Sequence, residues 1–238
     1  MAYWALKIVL TPVLRVVFRV RSEGTANVPR QGPVILASNH RSFIDSIFLP
    51  LVVRRRVTFV AKAEYFESWK TAWFFRAVGM IPLKRGGGPA SARALAAARD
   101  VLAVGGVLGI YPEGTRSPDG RLYKGHTGVA RLSMECEAPV VPVAQLGTAE
   151  VQPIGATWPK LFRPVEVKMG APIRREAGGD GSSELRRFTN EVMAAIASLS
   201  GQECVEDYAK RDKGRLAAPG SEAEPIPPDA PEVEAAPA

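Results

Sequence analysis

The chain has 238 residues, 46% of them hydrophobic and 23% charged, which suits one globular domain with a sizeable core. Its two cysteines lie 68 positions apart without a CxxC spacing, which argues against a disulfide framework or a zinc site and favours a reducing, cytosolic environment. The net charge is +7, but residues 217–238 hold five acids and no base, so the first 216 residues carry a net charge of +12. A body this basic is expected to attract polyanions, whether nucleic acid, an anionic membrane or phosphorylated substrates.

The first 21 residues are mostly apolar but are interrupted by Lys7, Arg15 and Arg19. No uncharged run reaches the ~20 residues that span a bilayer, and no basic residue precedes the apolar run as in a secretory signal. Polar side chains recur every four positions: Tyr3, Lys7, Thr11, Arg15 and Arg19. On a helix they form one stripe opposite an apolar face. The pattern predicts either a helix lying in a membrane interface, with its cations towards anionic headgroups, or an amphipathic helix packed on the domain. Pro12 is expected to kink this helix or split it in two.

Strand and helix patterns alternate along the remainder of the chain. Apolar runs bounded by turn residues predict strands over 32–39, 57–61, 79–83, 106–111, 140–146 and 165–169. Helical patterns cover 64–77, 90–104, 127–135 and 183–199, and a helix is also predicted to begin at Ser42, where the S-x-x-D form of a capping box ends at Asp45. This alternation predicts an α/β fold with a largely parallel or mixed sheet flanked by helices.

The carboxyl end of the chain has a different composition. Residues 217–238 contain six prolines, five acids and no aromatic side chain, so they offer too little apolar surface to offset the entropy of ordering. We therefore divide the chain into a membrane-associating helix over 1–21, a globular domain over 22–216 and a disordered tail over 217–238.

His40 is the first candidate for chemistry, because it stands just past a predicted strand and Asp45 follows it in the first turn of a predicted helix. An imidazole, with an ordinary pKa of about 6.5, can take a proton from a hydroxyl if a carboxylate orients it. On one continuous helix the two side chains would point about 140° apart, so they can meet only if His40 precedes the helix. The local pattern equally fits Asp45 as a helix cap and His40 as a polar loop residue.

Four sequence blocks stand in a characteristic order: NHRSFID (39–45), GMIPLKR (79–85), YPEGTRS (111–117) and VVPV (140–143). An HxxxxD spacing arises by chance, whereas four ordered blocks rarely do. Together they resemble the glycerolipid acyltransferase family, most closely its bacterial 1-acylglycerol-3-phosphate acyltransferase branch. The resemblance covers residues from about 25 to 175, and Lys124-Gly125 is also similar to the family's pattern.

The resemblance implies roles for individual residues. His40 would be the general base on the acceptor hydroxyl and Asp45 would orient it, with no covalent acyl-enzyme. It also implies a substrate-binding set: Lys62, Arg85, Glu113, Gly114, Thr115 and Arg116. In this set Arg85 and Arg116 would bind the acceptor's phosphate, with Lys62 as a further cation. Taken singly, each cation fits a solvated surface charge better, because most lysines and arginines are exposed.

The implied reaction moves a fatty acyl group from acyl-CoA or acyl carrier protein to the hydroxyl of 1-acylglycerol 3-phosphate, forming phosphatidic acid. The resemblance implies no metal or redox cofactor, and a peripheral or monotopic place on the cytoplasmic face of the cytoplasmic membrane, in contact with anionic lipid. The second block has Pro82-Leu83-Lys84 where many family members place an aromatic and a polar residue, so glycerol 3-phosphate or another lysophospholipid stays open as acceptor. The rival hypothesis is a non-catalytic protein that binds anionic lipid or nucleic acid, although no nucleic-acid motif is found.

Overall fold

A computed structural model of the protein describes residues 2–62, 80–83, 88–175 and 181–209. The predicted helix over 64–77, the tail over 217–238 and the candidate residue Arg85 lie outside the described residues.

The described chain alternates between helices and strands. The helices are α1 (Ala2–Val17), α2 (Asp45–Val52), α3 (Gly88–Ala103), α4 (Gly128–Glu135), α5 (Thr148–Val151) and α6 (Ser182–Ser200), with a 3-10 turn at Thr25–Asn27. The strands are β1 (Arg21–Glu23), β2 (Val34–Ser38), β3 (Val57–Lys62), β4 (Ile81–Leu83), β5 (Val107–Ile110), β6 (Leu122–Tyr123), β7 (Val140–Leu146), β8 (Glu166–Met169) and β9 (Cys204–Val205).

Seven strands form one sheet in the order β1-β8-β7-β2-β5-β3-β4, and β6 pairs separately with β9. Neighbours in the large sheet are parallel except for β7 and β8, which are antiparallel. The predicted largely parallel or mixed α/β fold is confirmed. Because β8 runs against β7 and β1 runs with β8, the strands β1 and β8 begin at the edge where β2, β5, β3 and β7 end. We call this the upper edge.

Strand β2 lies at the centre of the sheet, and all five of its residues are buried. Val34 and Leu36 belong to a core with Phe48 of α2, on one face of the sheet. Ile35 and Ala37 point to the other face, where the core includes side chains of α3, α4 and α6. Successive side chains of a strand point to opposite faces, so a continuous apolar run is what a central strand covered on both sides requires.

Helix α2 begins at Asp45, three residues later than predicted. The reason is that the Ser42 hydroxyl does not cap this helix but donates a hydrogen bond to the carbonyl of Gln152, at 2.7 Å. The Asp45 carboxylate still reaches back to the Ser42 N–H, at 2.9 Å, which is one half of a capping box.

Helix α1 is continuous, so Pro12 does not split it. It runs antiparallel to α2, since the Tyr3 hydroxyl accepts a hydrogen bond from Val57 N–H at 3.3 Å and Lys7 donates to the carbonyl of Val53 at the end of α2. Burial, and secondarily the charge of Arg15, lowers the pKa of Lys7 to about 8. Tyr3 and Lys7 therefore face the domain, which differs from the first of the two predicted alternatives, in which the cations of the stripe face lipid headgroups.

The exposed side of α1 is mainly apolar instead. Its exposed large side chains are Trp4, Ile8, Val9, Val13 and Val16. The physical reason is that the carbonyl at the carboxyl end of α2 binds the Lys7 ammonium and so turns the first part of the stripe inwards, whereas Arg15 and Arg19 stay exposed. Among the described residues, no helix is long and apolar enough to cross a membrane.

Candidate active site

His40 lies at the upper edge, just beyond the end of β2. The preceding residue, Asn39, fastens this strand end to β7, because its side chain accepts a hydrogen bond from Gln145 N–H at 2.8 Å and donates one to Gln145 carbonyl at 3.2 Å. The chain leaves the sheet here and turns into α2. The hydrogen bonds between Asn39 and Gln145 therefore fix the chain immediately before His40.

Nδ1 of His40 lies 2.8 Å from Oδ2 of Asp45. Asp45 is fully buried and the His40 side chain is 17% exposed. The same Oδ2 accepts hydrogen bonds from the N–H groups of Arg41 and Ser42, at 2.8 and 2.9 Å. One carboxylate oxygen of Asp45 thus closes the turn before α2 and also contacts the imidazole. The interpretation of Asp45 as a cap and its interpretation as the partner of His40 are therefore compatible.

This arrangement decides what the imidazole can do. With Asp45 ionised, Nδ1 carries the proton and the lone pair of Nε2 is left to accept another. In the described part of the chain, Oδ1 of Asp45 is buried without a hydrogen-bond partner. The carboxylate beside the ring can stabilise an imidazolium by Coulomb attraction once the ring has taken a proton. The pair is therefore suited to a general base whose imidazolium is stabilised once it forms.

Tyr111 holds the plane of the imidazole. Its ring stacks on His40 with centroids 3.9 Å apart and planes inclined by 11°. It also stacks with Phe59, at 5.5 Å, and its hydroxyl is hydrogen-bonded to Ser46 at 2.9 Å. Burial, and then the charge of Asp45, raises the pKa of Tyr111 well above its ordinary value, so the phenol stays neutral. The sequence interpretation assigned Tyr111 no role, although it opens the YPEGTRS block.

The Glu113 side chain is hydrogen-bonded to the backbone of His40. It is buried, and its Oε1 accepts a hydrogen bond from His40 N–H at 3.1 Å while its Oε2 accepts one from Tyr123 N–H at 3.1 Å. Burial raises the pKa of Glu113 to about 7, against the effect of these two donors, which lower it. Glu113, which was predicted to belong to the substrate-binding set, thus holds the end of β2 near His40 to β6.

The rest of the YPEGTRS loop wraps around His40. Ser117 N–H donates to the His40 carbonyl at 2.7 Å, so both backbone groups of His40 are bound by this loop. Gly114 has a φ of 71°, and a side chain there would bring its Cβ within 3.0 Å of the His126 ring, which explains the glycine. Thr115 and Arg116 are half-buried between these anchored positions. Arg116 is therefore one residue from the group that binds the His40 carbonyl.

For the two other predicted cations, Lys62 and Arg85, the structure describes only the backbone of Lys62. Lys62 ends β3, paired with Leu83 of β4, so its backbone lies at the upper edge; the description does not extend to its side chain. The chain leaves β4 at Leu83, two positions before Arg85. The structure thus brings His40, Asp45 and the 113–116 segment together, and it places the backbone of Lys62 at the same edge.

Gln202 is a contributor that the sequence interpretation missed. It follows α6, and its side-chain oxygen accepts a hydrogen bond from Asn39 Nδ2 at 2.7 Å while its Nε2 donates to the Gly120 carbonyl at 2.6 Å. It therefore connects the residue before His40 to the end of the YPEGTRS loop region. A contact between positions 39 and 202 leaves no mark in local periodicity, so the sequence carried no signal for it.

An apolar groove lies between α1 and α2. Its lining residues are Tyr3, Leu6, Lys7, Leu10, Ser46, Ile47, Pro50 and Leu51. Because the two helices are antiparallel, the groove runs from Ser46, at the upper edge, down to Leu51 and Tyr3. The hydroxyl of Ser46 is hydrogen-bonded to Tyr111, which stacks on His40. The Ser46 end of the groove is therefore separated from the imidazole by the Tyr111 side chain.

Comparison with known proteins agrees with this geometry. A family model described as Acyltransferase matches residues 19–145. The chain is 31% identical to a chloroplastic 1-acyl-sn-glycerol-3-phosphate acyltransferase of Arabidopsis thaliana over 76% of this chain and 49% of that protein. It is 29% identical to the 1-acyl-sn-glycerol-3-phosphate acyltransferase of Pseudomonas aeruginosa, over 78% of this chain and 74% of that one. The chain spans about half the length of the chloroplast relatives that it matches.

A solved structure is similar as well. The crystal structure of the 1-acyl-sn-glycerophosphate acyltransferase PlsC from Thermotoga maritima superimposes with a TM-score of 0.62 at 27% identity. The match covers 81% of this chain and 80% of the other.

Proposed function

The chain belongs to the acyltransferase family, and we propose that it transfers a fatty acyl group from acyl-CoA or acyl carrier protein to the free hydroxyl of 1-acylglycerol 3-phosphate. The product is phosphatidic acid and a free thiol. The observation that carries this proposal is the 2.8 Å contact between His40 Nδ1 and Asp45 Oδ2 at the upper edge. It leaves Nε2 as a proton acceptor near the loop that carries Arg116 and near an apolar groove.

In this mechanism Nε2 of His40 takes the proton of the acceptor hydroxyl while the hydroxyl oxygen attacks the thioester carbonyl carbon. A carbon–oxygen bond forms and the carbonyl oxygen gains negative charge. Asp45 stabilises the imidazolium meanwhile. When the carbon–sulfur bond breaks, the leaving thiolate takes the proton from the imidazolium. Tyr111, by stacking, keeps the ring in the plane that both proton transfers need.

The acceptor's phosphate would be bound by guanidinium and ammonium groups around the same loop. Arg116 is the best supported, since Glu113 and Ser117 fix the loop on both sides of it through His40. Lys62 at the end of β3 and Arg85, outside the described residues, would complete the set by family resemblance. A bidentate guanidinium suits a phosphate because it offers two parallel donors.

The groove between α1 and α2 would take an acyl chain of a lipid substrate. Its lining is almost entirely apolar, and it begins beside Ser46, close to His40. Burying methylene groups there contributes about 0.8 kcal/mol each. In this proposal the headgroup is bound near Arg116, the chain lies in the groove, and the acceptor hydroxyl lies between them at His40.

We also infer peripheral attachment to the cytoplasmic face of the membrane. The acceptor lipid resides in the bilayer, the thioester donor arrives from the cytosol, and the exposed side of α1 is apolar. In this proposal residues 1–21 provide the attachment and residues 22–216 the acyltransferase domain, followed by the acidic, proline-rich segment over 217–238.

Release of free thiol from acyl-CoA in the presence of 1-acylglycerol 3-phosphate tests the reaction. Glycerol 3-phosphate and a lysophosphatidylcholine serve as alternative acceptors, and acyl carrier protein as the alternative donor. We expect the fastest release with 1-acylglycerol 3-phosphate. A faster reaction with another acceptor would change the substrate and keep the chemistry. Absence of transfer with all donors and acceptors, in detergent and in lipid, would refute the enzyme hypothesis.

A further inference from the structure

The loop over 152–164, between α5 and β8, presents large apolar side chains to solvent. Trp158 is 82% exposed, Phe162 65% and Leu161 55%. Phe162 also has a positive φ of 61°, which bulky residues rarely adopt. Clustered exposed apolar side chains of this size on a single loop mark an interaction surface.

This loop is ordered by backbone contacts and not by burial of its side chains. Lys160 N–H donates to the Val151 carbonyl at 2.7 Å, and Ala156 N–H donates to the Pro153 carbonyl at 3.0 Å. The Gln152 side chain adds a hydrogen bond to the Ala156 carbonyl at 3.2 Å. The apolar tip is therefore presented outwards by a loop whose base is hydrogen-bonded.

The loop adjoins both the catalytic turn and the end of α1. It leaves the domain at Gln152, whose carbonyl accepts the Ser42 hydroxyl two positions after His40. It returns at Val165, whose N–H donates to the Phe18 carbonyl at 3.0 Å, just past α1. Because β1 and β8 both begin at the upper edge, the loop, the end of α1 and His40 lie at one edge of the sheet.

The charged residues of the loop indicate what kind of partner it contacts. Residues 151–165 include Lys160 and Arg163 and no acidic residue. Tryptophan with neighbouring cations is the composition of a segment that lies in a bilayer interface, with its rings at headgroup depth and its cations against anionic lipid. The adjoining helix α1 also exposes apolar side chains, among them Ile8 and Val16.

We propose that loop 152–164 inserts into the interface of an anionic phospholipid bilayer and forms a second membrane contact, separate from α1. Its insertion holds the upper edge, with His40, against the lipid surface from which an acceptor would enter. The inference goes beyond the proposed function, because it concerns bilayer contact alone and holds whichever acceptor is used.

Binding of the full chain to vesicles tests this without any substrate. Vesicles of phosphatidylcholine with phosphatidylglycerol are floated with the native protein, with Trp158→Ser/Phe162→Ser and with Val104→Ser. Val104 is a matched control, because it is 85% exposed and lies before β5, at the opposite edge. We expect the double variant to bind at least about tenfold more weakly and Val104→Ser to bind like the native protein. Equal binding by all three proteins would overturn the proposal.

A second measurement places Trp158 directly. In a Trp4→Phe/Trp69→Phe/Trp73→Phe protein, Trp158 is the remaining tryptophan. Its emission should shift to shorter wavelength on adding vesicles and be quenched by brominated lipid chains. No shift and no quenching would overturn insertion. If instead the loop variant changes the oligomeric state without lipid, or weakens binding of acyl carrier protein but not of vesicles, the surface serves a protein partner and the proposal is wrong.

Discussion

The Asp45 carboxylate makes several of the contacts that hold this site together. One of its oxygens meets the His40 ring and two backbone N–H groups, and the other is buried without a partner in the described part of the chain. The imidazole itself is held by Asp45 at its edge and by Tyr111 on its face. The site thus depends on few residues, and their separate contributions can be measured.

Replacing His40 by alanine should lower kcat by at least about 100-fold, because a general base is removed. Folding should be nearly unchanged, since Asp45 keeps its two backbone partners. Thiol release measures the first effect and the midpoint of thermal unfolding the second. A His40→Ala protein with native activity would show that another group takes the hydroxyl proton.

Two substitutions of Asp45 should separate its two tasks. Asp45→Asn keeps an oxygen that can accept the Arg41 and Ser42 N–H groups but lacks the charge, so kcat should fall at least about 100-fold with modest loss of stability. Asp45→Ala should lose activity and also about 1–3 kcal/mol in the free energy of unfolding, because buried N–H donors lose their acceptor. The measurements are kcat and urea unfolding. Equal stability of the two variants would contradict the capping task.

Glu113 should make stability depend on pH in a specific direction. Its pKa in the folded protein is raised from 4.5 to about 7 by burial, so the folded state keeps a proton that the unfolded state has already released. The stabilisation is complete below pH 4.5 and is lost as pH rises to about 7, a change of up to about 3 kcal/mol. Glu113→Gln lacks this titration.

Urea unfolding of both proteins from pH 4.5 to pH 7.5 measures the effect. The free energy of unfolding of the native protein, relative to that of Glu113→Gln, should decrease across this range. A relative stability that stays constant, or that grows with pH, would show that Glu113 is ionised at low pH in the folded protein.

At the scale of elements, α1 has two different sides. One side contacts the domain through Tyr3 and Lys7 and lines the groove with Leu6 and Leu10. The other side exposes apolar residues. Deleting the helix would remove both sides at once, so point substitutions on the exposed side are the sharper test of attachment.

Ile8→Ser/Val16→Ser should weaken binding to anionic vesicles. Ile8 and Val16 are both more than 70% exposed, and serine at these positions removes apolar surface that could contact lipid. Unfolding free energy should change by no more than about 0.5 kcal/mol per site, as for most surface substitutions. Vesicle flotation and urea unfolding report the two quantities. Native binding by this variant would remove the exposed side of α1 from the membrane contact.

For the whole molecule, topology and charge act together. The parallel strands end at the upper edge, and the reversal of β8 against β7 brings the start of β1 and β8 to the same edge. His40, the YPEGTRS loop and the 152–164 loop meet there as a result. Residues 1–216 have a net charge of +12, so this arrangement sits in a molecule drawn towards anionic surfaces.

Binding to anionic vesicles should therefore weaken as salt is raised. The screening length falls from about 10 Å at 0.1 M to about 3 Å at 1 M salt, whereas the burial of apolar side chains is not screened. Flotation with phosphatidylglycerol vesicles at both salt concentrations measures the loss, and pure phosphatidylcholine vesicles are the control. Salt-independent binding to anionic vesicles would show that the net charge of the domain plays no part in attachment.

Much of the fold could be predicted because its signals are local. The predicted strand over 140–146 coincides with β7, and the predicted helices near α3, α4 and α6 agree to within two residues at each end. Burial on both faces demands continuous apolar runs in central strands, and these runs are visible in any single sequence. The short strands β1, β6 and β9 were missed, because two or three residues carry too little pattern and their pairing partners lie far away along the chain.

The sequence by itself determined the alternation of strands and helices, the position of His40 past a strand and the four ordered blocks that resemble one acyltransferase family. These depend on residue type and spacing, which a chain carries before it folds. Tertiary structure alone decided that Tyr111 stacks on His40, that Gln202 joins Asn39 to Gly120, and that Lys7 faces the domain. Each of these depends on hydrogen bonds or packing between residues distant in sequence, and such contacts leave no periodicity behind.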